Sequence, residues 1–164
     1  MTMLLDRTII DDLPFPEWTK MTAEKIEQAI PHRLPMRLLD EIVEEGEGFV
    51  ICKKTFHEDD FFVQGHFPDY PLVPGVIQCE CCLQAGAIVL SRQTPKEGVV
   101  PVATRMDNVK FKRMVRPGDT VLVEARLNDH LGAAYYLTGK VTLDGKLAAR
   151  LDFACSVADP REAS

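Results

Sequence analysis

A long apolar segment over residues 75–92 constrains the fold of this chain more than any other feature of its sequence. Pro74 precedes the segment, and proline is compatible with the first turn of a helix because the N–H groups of that turn have no intrahelical partners. Apolar side chains occur almost all round the predicted helix, which is typical of a helix buried on every side. They are Val76, Ile77, Cys79, Cys82, Leu83, Ala87, Ile88 and Leu90.

The residues that follow this helix favour β-strands. They are rich in β-branched side chains or alternate between apolar and polar ones, which is the pattern of a strand with one buried face. Asp144-Gly145 is a strong signal for a two-residue hairpin, and Pro117-Gly118-Asp119 is a further turn. The predicted strands cover residues 99–104, 108–112, 120–127, 134–143 and 146–157.

The first half of the chain adds one short helix and two strands. Residues 1–20 contain Pro14 and Pro16 and are expected to form an irregular N-terminal extension. A helix is predicted over Met21 to Ile30 with Thr22 as its N-cap, followed by strands over 38–45 and 48–56. In the second strand, Phe49, Ile51 and Lys53 share one face.

The whole pattern predicts an α+β fold in which an antiparallel sheet of five to six strands wraps around one long central helix. We expect a single domain over residues 21–158 and a C-terminal tail over 159–164. An outer edge of this sheet would have unpaired backbone groups. A dimer that joins two such edges would cover them.

The charge balance excludes some classes of partner. The chain has 19 Lys and Arg against 25 Asp and Glu, a formal net charge of −6, and a hydrophobic fraction of 46%. These values fit one compact domain, and nucleic acid is not an expected partner because domains that bind it usually carry excess positive charge. No signal-peptide pattern opens the chain, and its longest apolar stretch is shorter than the roughly 20 residues of a membrane span. We therefore expect a cytoplasmic protein without a membrane span.

The five cysteines fit reduced thiols of a cytosolic protein better than a disulfide framework. Cys79, Cys81 and Cys82 lie together in the apolar segment, and three neighbouring cysteines cannot all form disulfides with one another. Cys79 and Cys82 form a C-x-x-C, for which packing inside a buried helix is favoured over a metal or redox site. No second Cys or His pair stands at zinc spacing, so no metal and no cofactor is expected.

Two residues can exchange protons near neutral pH. His66 lies in a loop before the apolar helix, and Glu80 lies five residues past the helix start. Burial would raise the pKa of a carboxyl on such a helix, which suits a general acid, and Gln84 at i+4 can hold that carboxyl. The free N–H groups at Gly75 and Val76 can stabilise negative charge on a substrate oxygen.

The same residues also have purely structural interpretations. A single histidine in a loop is usually structural, and Glu80 could simply pair with a buried arginine. Generic chemistry leaves an acid–base site and a structural role as open alternatives.

The residues resemble a known family. Gly-His-Phe-Pro-x-x-Pro-x-x-Pro-Gly-Val over residues 65–76, followed by a Glu and a Gln four residues apart, resembles the (3R)-hydroxyacyl-[acyl-carrier-protein] dehydratases of type II fatty acid synthesis. Pro31-His32-Arg33 with Asp40 is similar to the N-terminal block of that family, and residues 110–119 are similar to a later strand. The resemblance covers about residues 24 to 157. It implies the hot-dog fold, a sheet wrapped around one central helix.

The resemblance also implies roles for individual residues. His66 matches the base that takes the α-proton, Glu80 the acid that protonates the departing 3-hydroxyl, and Gly75 the N–H that polarises the thioester carbonyl. Phe67, Pro74, Val76 and Gln84 are then expected around the substrate. In that family the His and the Glu of one site belong to different subunits, which implies a homodimer, often assembled into a hexamer as a trimer of dimers.

Three departures from the family pattern bear on substrate access. Leu34 stands where the family usually has a Tyr near the tunnel mouth. Met114 replaces a usual Pro, and Cys81 and Cys82 replace small or aliphatic residues beside Glu80.

The implied reaction is dehydration of a 3-hydroxyacyl thioester on acyl carrier protein. The alternatives are a hydratase or thioesterase acting on acyl-CoA, since one fold hosts several activities, and a non-catalytic acyl-binding subunit. Acyl carrier proteins are acidic, and residues 105–116 have five basic residues against Asp107, a local net charge of +4. Within this segment, Lys110, Lys112, Arg113 and Arg116 are candidates for carrier docking, although a solvated strand face explains each of them individually.

Overall fold

The computed structural model describes residues 17–93 and 98–159. It has two helices, α1 (Glu17–Ala29) and α2 (Gly75–Gln93), in this part of the chain. The strands are β1 (Glu41–Gly46), β2 (Phe49–Thr55), β3 (Val100–Phe111), β4 (Thr120–Leu131), β5 (Ala134–Leu143) and β6 (Lys146–Ala158).

The six strands form one antiparallel sheet in the order β1-β2-β4-β5-β6-β3. Helix α2 contacts every strand from β2 to β6, so the sheet wraps around it, while α1 packs on β1 and on one side of α2. This arrangement confirms the predicted α+β architecture. Among the strands that the structure describes, β3 pairs only with β6 and therefore forms one edge of the sheet.

The central helix fits closely because its neighbours leave room only for small residues at certain positions. A Cβ atom on Gly86 would lie 2.7 Å from the ring of Phe153, and one on Gly139 of β5 would lie 2.6 Å from the Cβ of Cys82. Real Cβ atoms do not approach other carbons so closely. The two glycines therefore let helix and sheet approach within the core.

All five cysteines are buried and free. Burial raises the pKa of the Cys52 thiol to about 12 and that of Cys155 to about 11. Thiolates are the reactive form of cysteine, so these thiols are held in the unreactive form at neutral pH.

Several predicted boundaries are wrong. Helix α1 begins at Glu17, not at Met21, so Thr22 lies within the helix and is not its N-cap. Glu17 directly follows Pro16 in the sequence, and a proline near the start of a helix is compatible with its first turn. The rest of the expected irregular extension, residues 1–16, lies outside the described residues.

The two strands predicted over 99–104 and 108–112 are one strand. Strand β3 continues through an irregularity at Asn108, where φ is 52° and the pairing with β6 shifts between Asp107 and Lys110. Asparagine accepts positive φ more readily than most residues, so the ladder resumes beyond it. Strand β4 likewise extends to Leu131. Phe49, Ile51 and Lys53 do share a face, but the more buried face of β2 carries Val50, Cys52 and Lys54.

Candidate active site

His66 lies in the loop that connects β2 to α2, and the loop backbone holds its ring. Its Nδ1 is 3.0 Å from the carbonyl oxygen of Leu72, and the N–H of Leu72 donates in return to the carbonyl of His66. A carbonyl can only accept, so Nδ1 carries the proton in this hydrogen bond, and in the neutral ring Nε2 keeps its lone pair. The ring of Phe67 stacks on the imidazole with 4.4 Å between centroids.

A cavity of about 540 Å³ opens beside His66 and contains the start of α2. The peptide N–H groups of Ile77 and Gln78 point to the carbonyl of Pro74, whereas those of Gly75 and Val76 have no acceptor among the described residues. Free N–H groups at a helix start attract a developing negative charge. The lining consists of His66, Leu72, Val73, Pro74, Gly75, Val76, Gln78, Phe111, Lys112, Arg113, Met114 and Val115.

Glu80 is held by a network that ties α2 to the segment after α1. The amide nitrogen of Gln84 donates to Oε1 of Glu80 at 2.9 Å and to the carbonyl of Met36 at 2.7 Å. The amide oxygen of Gln84 accepts from the N–H of Leu38 at 2.9 Å. Gln84 is fully buried. Its two N–H groups and its oxygen are all used, so its orientation is determined by its partners.

Glu80 and His66 line different cavities of the chain. Glu80 lies in a second cavity of about 100 Å³, with His32, Leu83, Ala87, Pro101, Ala103 and Cys155. This cavity includes residues of the edge strand β3, as does the cavity of His66. The base and the acid expected from the resemblance therefore do not share a cavity within one chain.

The four basic residues expected to dock a carrier are all exposed. Lys112 and Arg113 line the cavity of His66. Arg116 donates to the hydroxyl of Tyr70, and its guanidinium lies 5.1 Å from the centre of the tyrosine ring. Lys110 lies apart from these in a small surface hollow with Asn108, Arg150 and Asp152.

Leu34 is 69% exposed and lines a third cavity with Phe61, whose lining includes neither His66 nor Glu80. Among residues 17–93 and 98–159, no group of three or more His, Cys, Asp and Glu side chains could hold a metal ion, and no helix could cross a membrane.

The sequence alone gave no role to His32 or to Gln78. Each has a buried polar atom that finds no hydrogen-bond partner among residues 17–93 and 98–159, Nδ1 of His32 and Oε1 of Gln78.

A six-stranded antiparallel sheet wrapped around one helix is the hot-dog fold, and solved structures match it. A chain of the dehydratase heterocomplex ApeI:P from Xenorhabdus doucetiae has a TM-score of 0.72 at 15% identity, covering 84% of this chain and 93% of that one. The PaaI protein of Escherichia coli has a TM-score of 0.61 at 15% identity, covering 85% and 95%.

Sequence comparison narrows this class to a family. The model of the FabA-like domain matches residues 30–152. The 3-hydroxyacyl-[acyl-carrier-protein] dehydratase FabZ of Oenococcus oeni is 41% identical over 80% of this chain and 96% of its own length. The protein of the same name from Staphylococcus carnosus is 37% identical over 82% and 94%. The chain belongs to the FabA-like domain family, and the predicted resemblance is confirmed.

Proposed function

We propose that this protein dehydrates (3R)-hydroxyacyl thioesters on acyl carrier protein to trans-2-enoyl thioesters in fatty acid biosynthesis, in the cytoplasm, with residues 21–158 as its domain. The observation that carries the proposal is the orientation of His66, whose Nε2 keeps its lone pair because Nδ1 donates to Leu72. This base lies in one cavity with the free N–H groups at the start of α2. Relatives named as dehydratases of this substrate support the choice of reaction.

The reaction follows from these groups with all atoms accounted for. Nε2 of His66 takes the α-proton, and the electron pair of that C–H bond moves toward the thioester carbonyl, whose oxygen accepts from the N–H groups of Gly75 and Val76. The electrons then form the α,β double bond as the C–O bond breaks. Glu80 gives its proton to the departing hydroxyl, which leaves as water. The α-proton stays on His66, and proton exchange with water then restores neutral His66 and protonated Glu80. Gln84 donates to Oε1 of Glu80, so Oε2 is the oxygen that carries the proton.

Support for a composite site comes from the two cavities. A complete reaction needs the base and the acid on one substrate, yet they line separate cavities of a single chain. Both cavities include residues of β3, which is an edge strand. We propose a homodimer joined along this edge, in which His66 of one protomer faces Glu80 of its partner, with a trimer of dimers as a further assembly.

Support for carrier docking comes from charge at the cavity of His66. Lys112 and Arg113 are exposed cations at its lining, and Arg116 lies close by on the loop that follows β3. An acidic carrier would be attracted to them although the whole chain is acidic. The thioester would then enter beside the residues that react with it.

A direct assay tests the reaction. The protein is given (3R)-hydroxybutanoyl-carrier protein, and enoyl thioester formation and free thiol release are followed separately. We expect enoyl formation, a loss of about 10²-fold or more in His66→Ala, and no thiol release. Thiol release without enoyl product would favour a thioesterase, and bound substrate without turnover would favour an acyl-binding subunit.

The same assay addresses docking when the carrier is replaced by a small pantetheine thioester. Lys112→Glu with Arg113→Glu should weaken turnover of the carrier substrate and spare the small one, because only the carrier is acidic. Lys25→Glu, which reverses a single charge on α1 at the β1 side of the sheet, is the control for charge reversal away from the cavity. Equal losses on both substrates would contradict the docking role.

A further inference from the structure

His32 lies beside Glu80 although 48 residues separate them in sequence. Its Nε2 is 3.6 Å from Oε1 of Glu80, and both side chains are largely buried, with 29% and 24% of their surface exposed. The two residues line the same small cavity. This distance is longer than a hydrogen bond, but contacts of catalytic groups commonly tighten when substrate binds.

The segment that carries His32 is fastened on both sides. The guanidinium of Arg33 donates to the carbonyl of His32 at 2.8 Å and to that of Ile30 at 3.0 Å. Four residues further along, the carbonyl of Met36 accepts from Gln84, the residue that also holds Glu80. The position of the imidazole relative to the carboxyl is therefore determined by the fold and not by the flexibility of a surface loop.

The hydrogen-bond partners determine which form of His32 fits. Oε1 of Glu80 already accepts from Gln84, so a second group facing it favourably must also be a donor. Nδ1 of His32 is buried and has no partner in the described part of the chain. A protonated Nδ1 would leave a donor unsatisfied there and add a buried charge, which is costlier than an unpaired lone pair. The neutral ring with the proton on Nε2 fits both atoms.

We propose that His32 is a positioning residue for the acid of this site, a second donor that directs Oε1 of Glu80 away from the substrate and leaves Oε2 to carry the transferred proton. The inference rests on the proposed dehydration. When Glu80 gives up its proton it becomes a carboxylate, and Nε2–H of His32 stabilises that anion more than the neutral acid. His32 therefore lowers the barrier to breaking the C–O bond and leaves the barrier to removing the α-proton unchanged.

A change of leaving group distinguishes a role in breaking the C–O bond from a role in removing the α-proton. A 3-hydroxyl needs a proton in order to leave, whereas chloride leaves with its electron pair and needs none. The test substrate is therefore a 3-chlorobutanoyl thioester on the same carrier, from which His66 alone can eliminate hydrogen chloride. Glu80→Gln is the reference variant and should lose turnover of the hydroxy substrate while keeping most turnover of the chloro substrate.

His32→Leu should lower kcat for the hydroxy substrate by about ten-fold, the size of one hydrogen bond to a charged group, with KM little changed. Turnover of the chloro substrate should fall less than about two-fold. His32→Gln, whose amide nitrogen reaches the region of Nε2, should recover most of the loss. His32→Asn, whose shorter side chain ends near the position of Nδ1, should not. His57→Leu, on the exposed loop after β2, is the matched control and should leave both substrates unaffected.

Three outcomes would overturn the inference. One is an equal loss on both substrates in His32→Leu, which would indicate a structural role. Another is unchanged turnover of both. The third is equal recovery by Gln and Asn, since only Gln replaces the donor at Nε2. Absence of turnover in the wild-type protein would instead reject the proposed function, on which the inference depends, so the two failures are distinguishable.

Discussion

Gly75 shows how a single missing side-chain atom can keep a site open. A Cβ atom there would lie 2.7 Å from two carbons of the Phe111 ring, which is half-exposed on the edge strand. The aromatic ring therefore lies directly against the start of α2, where the free N–H groups are. The backbone at Gly75 does not have a positive φ, so the requirement for glycine is one of space and not of conformation.

We expect Gly75→Ala to fold and to lower kcat/KM by about ten- to a hundred-fold, because the displaced ring changes the cavity near the N–H groups. Adding Phe111→Leu to this variant removes the ring carbons that clash and should restore part of the activity. Steady-state kinetics and thermal unfolding of the two single variants and the double variant measure the coupling. If the two substitutions combine additively, the proposed clash is not the cause of the loss.

At the scale of single residues, the sequence and the resemblance together predicted His66, Gly75, Glu80 and Gln84, because these lie in one continuous block of 19 residues ending at Gln84. The position of His32 could not be predicted in the same way. Its contact with Glu80 depends on how the segment after α1 packs on α2. The separation of Glu80 and His66 into two cavities is also a property of the folded chain, invisible in their spacing.

Among the elements, the edge strand β3 is stabilised at its irregularity by side-chain hydrogen bonds. Its irregularity at Asn108 is held by Asp152 of β6, whose carboxylate accepts from Asn108 at 2.9 Å and from Thr138 at 3.0 Å. The hydrogen bond from Asn108 contributes most to a lowered pKa of Asp152; burial opposes it, and Thr138 and Arg150 lower the pKa further. The ionised form of Asp152 is therefore the one that supports the strand.

This support should depend on pH in a defined direction. The pKa of Asp152 is lower in the folded chain than in the unfolded chain, so its contribution is complete above the unfolded pKa of about 3.9 and is lost as the pH falls through the folded pKa. Asp152→Asn should therefore cost stability at neutral pH, and its difference from the wild type should shrink as the pH falls below about 4.

Urea unfolding across this pH range measures the difference between the two proteins. Asn108→Gly is the matched variant, because glycine keeps the positive φ but removes the donor, and it should weaken the pH dependence in the same direction. A pH-independent difference between wild type and Asp152→Asn would contradict the assignment to the carboxylate.

The elements also show where sequence patterns succeed and fail. Helix α2 was predicted to within one residue, because an apolar run of this length between Pro74 and Pro95 is compatible with few structures other than a buried helix. Strand β3 was predicted as two strands with residues 105–107 left out, because the pairing of these residues with β6 is not visible in the sequence. The start of α1 was placed too late, because Pro16 was taken as a residue that excludes a helix instead of one that can precede it.

At the scale of the whole molecule, the sheet edge formed by β3 exposes apolar side chains and backbone groups that have no neighbouring strand in the described part of the chain. Strand β3 carries Val102, Met106, Val109 and Phe111 with 39–52% of each side chain exposed. A long apolar edge strand with open backbone groups is usually covered by pairing. The proposed dimer would cover it and would also bring together the cavities that hold His66 and Glu80.

Mixed dimers provide the most direct test of this assembly. His66→Ala and Glu80→Gln are each expected to be inactive alone, but a mixed dimer would contain one site with both original residues if each site takes its histidine and its glutamate from different protomers. Random pairing makes about half of all dimers mixed, with one of two sites intact, so co-expression in equal amounts should restore about a quarter of wild-type activity. If both residues of a site came from one chain, the mixture would stay inactive.

The reciprocal experiment pairs wild type with a chain that carries both substitutions. A composite site should leave about a quarter of the activity, since only wild-type dimers keep complete sites, whereas a site within one chain should leave about half.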